Sequence, residues 1–444
     1  MKRNSSRVTG VAFLVALGVA GSSPVETSHE SSPPAPVNQV LEWNQIFIET
    51  LIATNTANSS SQRLGAIVHT AIFDAYNGIE GRYSPVFVHN KAPRGASRRA
   101  AVIAAAHTAL VGLFPTRQMA LDGSYTASLA ALSDACEHGG WRRQDSCAAR
   151  IERGVAWGTE VAHAVLGWRA TDGFIGPYPP FTGGTAVGQW RPTPPAFGAM
   201  SAQGLAFTAM FSLVSNTQFE PPPPRSLTSD TYTDDFNAVK ALGRKTGSTR
   251  TDDQTALAMF WEGNASVHWN QAANQIADAN GLSMSDSNRL LAVLNIAMAD
   301  TAFTIWHAKR LYGSFANEVT WRPVTSIPLA DTDGNPGTSP EPGWEPLVTT
   351  PSHPEYPAGH PSLNGAAATV LLSHFRRRQT FTLTTALQPS RTYFSITQAR
   401  AEGNNARVWG GMHYPSTITI SDAVGERIAH DVNRHSMQRL RGGR

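Results

Sequence analysis

Apolar residues recur every third or fourth position through most of this chain, and almost nowhere every second. Val40, Trp43, Phe47 and Leu51 fall on one helical face, as do Leu64, Ile67, Ala71, Ala75 and Ile79, so two amphipathic helices are predicted near the start. The same period predicts helices over residues 98–114, 117–135, 148–170, 252–261, 286–312, 363–375, 392–402 and 422–440. Between them lie long Pro- and Gly-rich stretches, notably 172–198 and 220–233; connections of that length cover a site or wrap the surface. The expected fold class is mainly α: a large helical-bundle protein with long Pro/Gly-rich loops. An N-terminal helical half (40–250) and a C-terminal helical half (251–440) are expected.

The first residues break this pattern. Three cations, an apolar run from Val11 to Ala20 and then small residues have the layout of a secretory signal peptide over residues 1–21. Residues 22–39 are polar and proline-rich and read as a flexible linker. The expectation is an exported protein, periplasmic or secreted, with no later segment apolar enough to span a membrane. A net charge of +3 over 444 residues, 16% of them charged, offers no footprint for nucleic acid. Cys136 and Cys147 are the only cysteines, and in an exported chain they suggest one local disulfide, with reduced buried thiols as the alternative.

Candidate chemistry gathers in the last third. Lys309 stands near a helix end, and Arg322 precedes Pro323. In the segment HPEYPAGHPSLNGAAATVL, Pro361 suits a first helical position, so the free amides of a helix start point back at Gly359 and His360. Such a start favours an anion. Arg407 lies six residues before His413. Three cations, a helix mouth and two imidazoles suit a tetrahedral or trigonal-bipyramidal oxyanion: arginine offers a bidentate fork and lysine a point charge, and one histidine bonds the central atom.

The order and wording of these motifs resemble the vanadium-dependent haloperoxidases, a family that shares its site with the type 2 phosphatidic acid phosphatases and bacterial class A acid phosphatases. The resemblance spans QRLGAIVHTAIFDAYNGI, WRPTPPAF, TRTDDQTALAMFW, WRPVTSI, HPEYPAGHPSLNGAAATVL and RVWGGMHYP. It implies that Lys309, Arg322, the Gly359 amide and Arg407 bind vanadate, that His413 is the vanadium ligand and that His360 acts as acid and base. Phosphate would occupy the same site. The implied partners are hydrogen peroxide and halide, with an organic acceptor as a further substrate. The chain departs from the pattern at four places. Ala358 replaces a serine, Lys309 lies thirteen rather than seven residues before Arg322, Ala406 replaces a serine, and Thr417 replaces an aspartate four residues after the histidine.

Three functions follow from one such pocket: a vanadate-dependent haloperoxidase, a phosphomonoesterase using a phosphohistidine intermediate, and an oxyanion-binding or structural protein without turnover. Other residues have plainer readings. His69 and His107 sit within helical patterns and are expected to be buried and satisfied. Arg376, Arg377 and Arg378 complement a helix C-terminus. His353, Glu355 and His360 form a weak metal set, because Pro354 and Pro357 keep them off one helix face. DTDGN at Asp331 lacks the spacing of a calcium loop. Arg400 rivals Arg407 but lacks the offset from His413, and Trp190 to Pro192 repeats the letters of Trp321 to Pro323 in a structural loop.

Overall fold

The computed structural model describes residues 37–138, 144–386 and 388–440; the side chains of 135–138 and 144–146 are not among those described. The expected signal peptide, nearly all of the linker and the Cys136 side of the expected disulfide lie outside these residues.

Among the described residues there are thirteen α-helices and two short strands. The first five helices are α1 (Gln39–Ala53), α2 (Asn58–Glu80), α3 (Arg98–Leu113), α4 (Gln118–His138) and α5 (Gln144–Ala170). A long irregular stretch then leads to α6 (Asp230–Leu242), α7 (Asp252–Phe260), α8 (Ala265–Ala279) and α9 (Met284–Tyr312). The last part carries α10 (Pro323–Ser326), α11 (Gly359–His374), the antiparallel pair β1 (Phe381–Leu383) and β2 (Arg391–Tyr393), then α12 (Ile396–Trp409) and α13 (Pro415–His435). The fold class is mainly α, as the periodicity predicts.

One cluster of buried apolar side chains draws on helices from both halves, from Trp43 and Phe47 of α1 through Leu290, Val293 and Phe303 of α9 to Val424 and Ile428 of α13. α9 runs through its middle. It is long and apolar enough to cross a bilayer, contrary to the expectation from sequence, but 94% of its most apolar window is buried inside the protein. Its hydrophobicity is spent on the core. α11 and α13 pack backbone against backbone. A Cβ on Gly365 would run into the Asp422 carbonyl, and one on Gly425 into the Ser362 carbonyl. Both positions need glycine because backbone meets backbone there.

Three helices escaped the periodicity: α6, α8 and the one-turn α10. In α8 the buried face mixes Val267, Trp269 and Ile276 with Ser266, Asn270 and Gln271. Asn270 and Asn295 exchange hydrogen bonds at 3.0 and 2.9 Å, and Asn44 donates to Asn274 Oδ1 at 2.8 Å. Buried polar groups that satisfy one another are invisible to a hydrophobic pattern. The helix expected over 392–402 is also corrected: Thr392 and Tyr393 pair with β1, and α12 starts at Ile396 and runs on to Trp409. α13 starts earlier than expected, at Pro415, and ends at His435.

Candidate functional site

The site collects helix ends and turns rather than helix middles. Lys309 occupies the last turn of α9, and Arg322 is the residue before Pro323 at the start of α10. Gly359 and His360 are the first two residues of α11. Arg407 lies in the last turn of α12, and His413 in the turn to α13. That turn requires Gly411, whose φ of +76° places it in the left-handed region. The segment before Arg322 is pinned by the Gly188 carbonyl, which accepts from Thr320 N at 3.1 Å and from Trp321 N at 2.9 Å. The first Trp-Arg-Pro run therefore braces the second.

Gly359, His360, Arg407 and His413 line one cavity of about 230 Å³, together with His353, Trp306 and Met412. Glu262 is the carboxylate on its lining and is itself exposed. Arg322 and Lys309 stand behind this wall, both fully buried. Arg322 Nη1 reaches His413 Nε2 at 3.0 Å and the Met412 carbonyl at 2.8 Å, while Nε donates to the His353 carbonyl at 2.9 Å. Lys309 Nζ donates to the Pro354 carbonyl at 2.6 Å and the Glu355 carbonyl at 3.3 Å. Its longer spacing still brings it beside Arg322, with its ammonium holding the loop that leads into α11.

Hydrogen-bond partners assign the imidazole nitrogens. Arginine can only donate, so His413 Nε2 is an acceptor and carries the lone pair. The Gly263 carbonyl can only accept, so His360 Nε2, 3.2 Å away, carries the proton and Nδ1 is left as the basic nitrogen. His353 Nδ1 receives Arg322 Nη2 at 2.8 Å, which leaves Nε2–H as its donor. Burial holds all three imidazoles well below the usual histidine range. Arg322 and Lys309 add to this at His413, Lys309 and Arg322 at His353, and Arg407 at His360.

Burial also lowers the cations, Arg322 to about 9 and Arg407 to about 10, and takes Lys309 well below the lysine value. Arg407 donates to the Trp261 carbonyl at 3.0 Å and lies 2.8 Å from Met412 Sδ, yet its buried Nε has no partner among the described residues. An unpaired, buried guanidinium nitrogen beside a helix mouth fits an oxyanion. At Gly359 a Cβ would stand 3.4 Å from the Trp306 ring, an ordinary contact.

Sequence reasoning read Glu355 and His353 only as members of a weak metal set, and it missed the α7–α8 connection. Glu355 Oε1 lies 3.0 Å from His413 Nδ1, and the carboxylate is fully buried. Burial pushes it up to about 7, against the pull of Arg322, the Tyr414 amide, Lys309 and Thr417. The α7–α8 connection supplies the Trp261 and Gly263 carbonyls that hold Arg407 and His360. No periodicity marks any of these. The weak metal set has other duties: His353 faces Arg322, Glu355 faces His413 and His360 faces Gly263. Arg400 is turned away to Asp422 and Glu426, each at 2.6 Å. Arg376, Arg377 and Arg378 are exposed. His69 is buried on Asn44 Oδ1 at 2.9 Å, whereas His107 is only half-buried and paired with Asp122 at 2.7 Å.

Residues 289–442, which carry Lys309, Arg322, His353, Glu355, Gly359, His360, Arg407 and His413, match the family described as the VCPO second helical-bundle domain. The chain as a whole has the vanadium haloperoxidase fold. It superposes on the first bacterial vanadium-dependent iodoperoxidase with a TM-score of 0.74 at 20% identity, over 93% of this chain and 100% of that one. It superposes on the holo form of a bacterial vanadium-dependent chloroperoxidase with a TM-score of 0.64 at 19% identity, over 85% and 92%. The apo form of a bacterial vanadium-dependent chloroperoxidase gives 0.63 at 18%, over 85% and 93%. Comparison with the curated proteins finds no match in sequence.

Proposed function

We propose that this chain is an exported vanadate-dependent haloperoxidase that oxidises halide with hydrogen peroxide. The observation that carries the reading is the presentation of the His413 Nε2 lone pair at a cationic cavity, with Arg322 on that nitrogen, Arg407 incompletely paired and the amides of α11 at the mouth. Vanadate bound there would supply Lewis acidity toward peroxide without changing oxidation state.

The residues divide the work. His413 Nε2 is the ligand atom, because its other nitrogen is occupied. Arg322 Nη1, which donates to this nitrogen, would hold an anion oxygen when the group is bound. Arg407 and the Gly359 amide hold further oxygens. Lys309 does not line the cavity; it contributes positive charge from behind and fixes the backbone at Pro354 and Glu355. Converting peroxide, halide and a proton to hypohalous acid and water consumes one proton. His360 is the group placed to deliver it, since Nε2 is tied to Gly263 and Nδ1 is free to accept and return a proton.

The test is halide oxidation by purified apoprotein with peroxide, with and without added vanadate, beside a phosphomonoester assay. Vanadate-dependent oxidation of iodide, bromide or chloride supports the reading. Phosphomonoester cleavage without halide oxidation would instead make His413 the nucleophile of a phosphatase.

A further inference from the structure

We propose that Glu355 is the positioning residue for His413, supplying from the loop before α11 the carboxylate that the family pattern places four residues after the histidine, where this chain has Thr417. The inference rests on the proposed oxyanion site for its binding readout, but its geometry stands on the protein alone.

Two obligatory donors settle the arrangement. The Tyr414 amide bonds Glu355 Oε1 at 3.1 Å, so that oxygen is an acceptor, and His413 Nδ1, 3.0 Å from the same oxygen, must donate to it. At the opposite edge of the ring, Arg322 Nη1 can only donate to Nε2. The imidazole is therefore held as its Nδ1–H tautomer from both sides, with the lone pair on the nitrogen that meets the anion.

Thr417 completes the exchange. Its hydroxyl donates to Glu355 Oε2 at 3.1 Å, and it stands one helical turn after His413 at the start of α13. Residue 417 thus still acts on the histidine, through Glu355 rather than directly. The loop that presents Glu355 is fixed independently. Lys309 holds its carbonyls, and the Ala358 amide donates to Ser421 Oγ at 2.7 Å. Ser421 Oγ in turn donates to the Thr417 carbonyl at 2.6 Å. With no solvent at a fully buried carboxylate, its position is set by these contacts alone.

The test begins with wild-type apoprotein labelled with ¹⁵N-histidine, with the His413 signals assigned by their loss in His413→Asn. A protonated Nδ1 and unprotonated Nε2 are expected; a protonated Nε2 would overturn the proposal whatever the protein binds. The second arm measures equilibrium vanadate affinity by calorimetry. Glu355→Gln keeps an acceptor for Nδ1 but removes the charge, and a loss of about 10- to 100-fold is expected with unchanged melting temperature. Wild-type affinity in Glu355→Gln would show a merely structural carboxylate and overturn the assignment. If that variant does not fold, Thr417→Val decides, with a several-fold loss expected and an unchanged affinity counting against the proposal. Should wild type bind no vanadate at all, the proposed function falls, while the tautomer still decides Glu355.

Discussion

Arg322 Nη1 and His413 Nε2 lie 3.0 Å apart although ninety-one positions separate them in the chain. That contact puts a guanidinium on the His413 nitrogen that carries the lone pair. It also makes the two residues interdependent: the lone pair and the guanidinium face the same small volume.

Replacing the two cavity histidines separates ligand from proton carrier. His413→Ala is expected to weaken vanadate binding sharply and abolish vanadate-dependent halide oxidation. His360→Ala should keep most of the binding and lose about 10²- to 10⁴-fold in turnover. Calorimetric affinities and steady-state rates on the two variants check this. Equal binding by His413→Ala and wild type would place the ligand elsewhere.

Ala358 precedes the first turn of α11 with an extended backbone and no side-chain cap. Ala358→Ser restores a hydroxyl at this N-cap and should stabilise the protein by about 0.5–2 kcal/mol. Thermal melting with and without vanadate checks it, and an unchanged melting temperature would show that the serine oxygen finds no amide.

Gly425 meets the Ser362 carbonyl on the facing helix. Gly425→Ala should therefore push α13 away from α11 and cost roughly 1–3 kcal/mol or more, the range for forcing an extra carbon into packed space. Because α11 begins with Gly359 of the proposed anion site, vanadate affinity should fall along with stability. A denaturant titration paired with a binding isotherm would read both. Full retention of each would mean that the helices slide without consequence.

Acid sensitivity should come in part from His69. Burial lowers it to about 3, from the ordinary value of 6.5 in the unfolded chain. Between those values the unfolded state binds the additional proton, so stability is fully present above about pH 6.5 and is lost as pH falls toward 3. One such histidine contributes a slope of about 1.4 kcal/mol per pH unit. His69→Gln, which keeps a donor for Asn44 Oδ1, should lose less stability than wild type between pH 6.5 and pH 4. Parallel curves for the two proteins would remove His69 from the account.

The sequence alone determined which segments become helices wherever one face is apolar, because burial of that face is what makes them helices in water. It also determined the type and order of the site groups, Arg322, Gly359, His360, Arg407 and His413, since a cationic pocket with an imidazole ligand is written in residue chemistry at short spacings. It did not show α8, where Asn270 and Gln271 sit among the buried residues, nor the Trp261 and Gly263 carbonyls, since every residue has a carbonyl and only packing aims it. It did not assign Glu355, which reads as one acid among 33 acidic residues until the fold buries it against His413. Lys309 shows the same limit: its type was legible, but its place behind the cavity wall follows from where α9 ends against the loop at Pro354 and Glu355. Residue chemistry is local to the chain, whereas hydrogen-bond direction, burial and tautomer arise only when segments ninety-one positions apart close on one another.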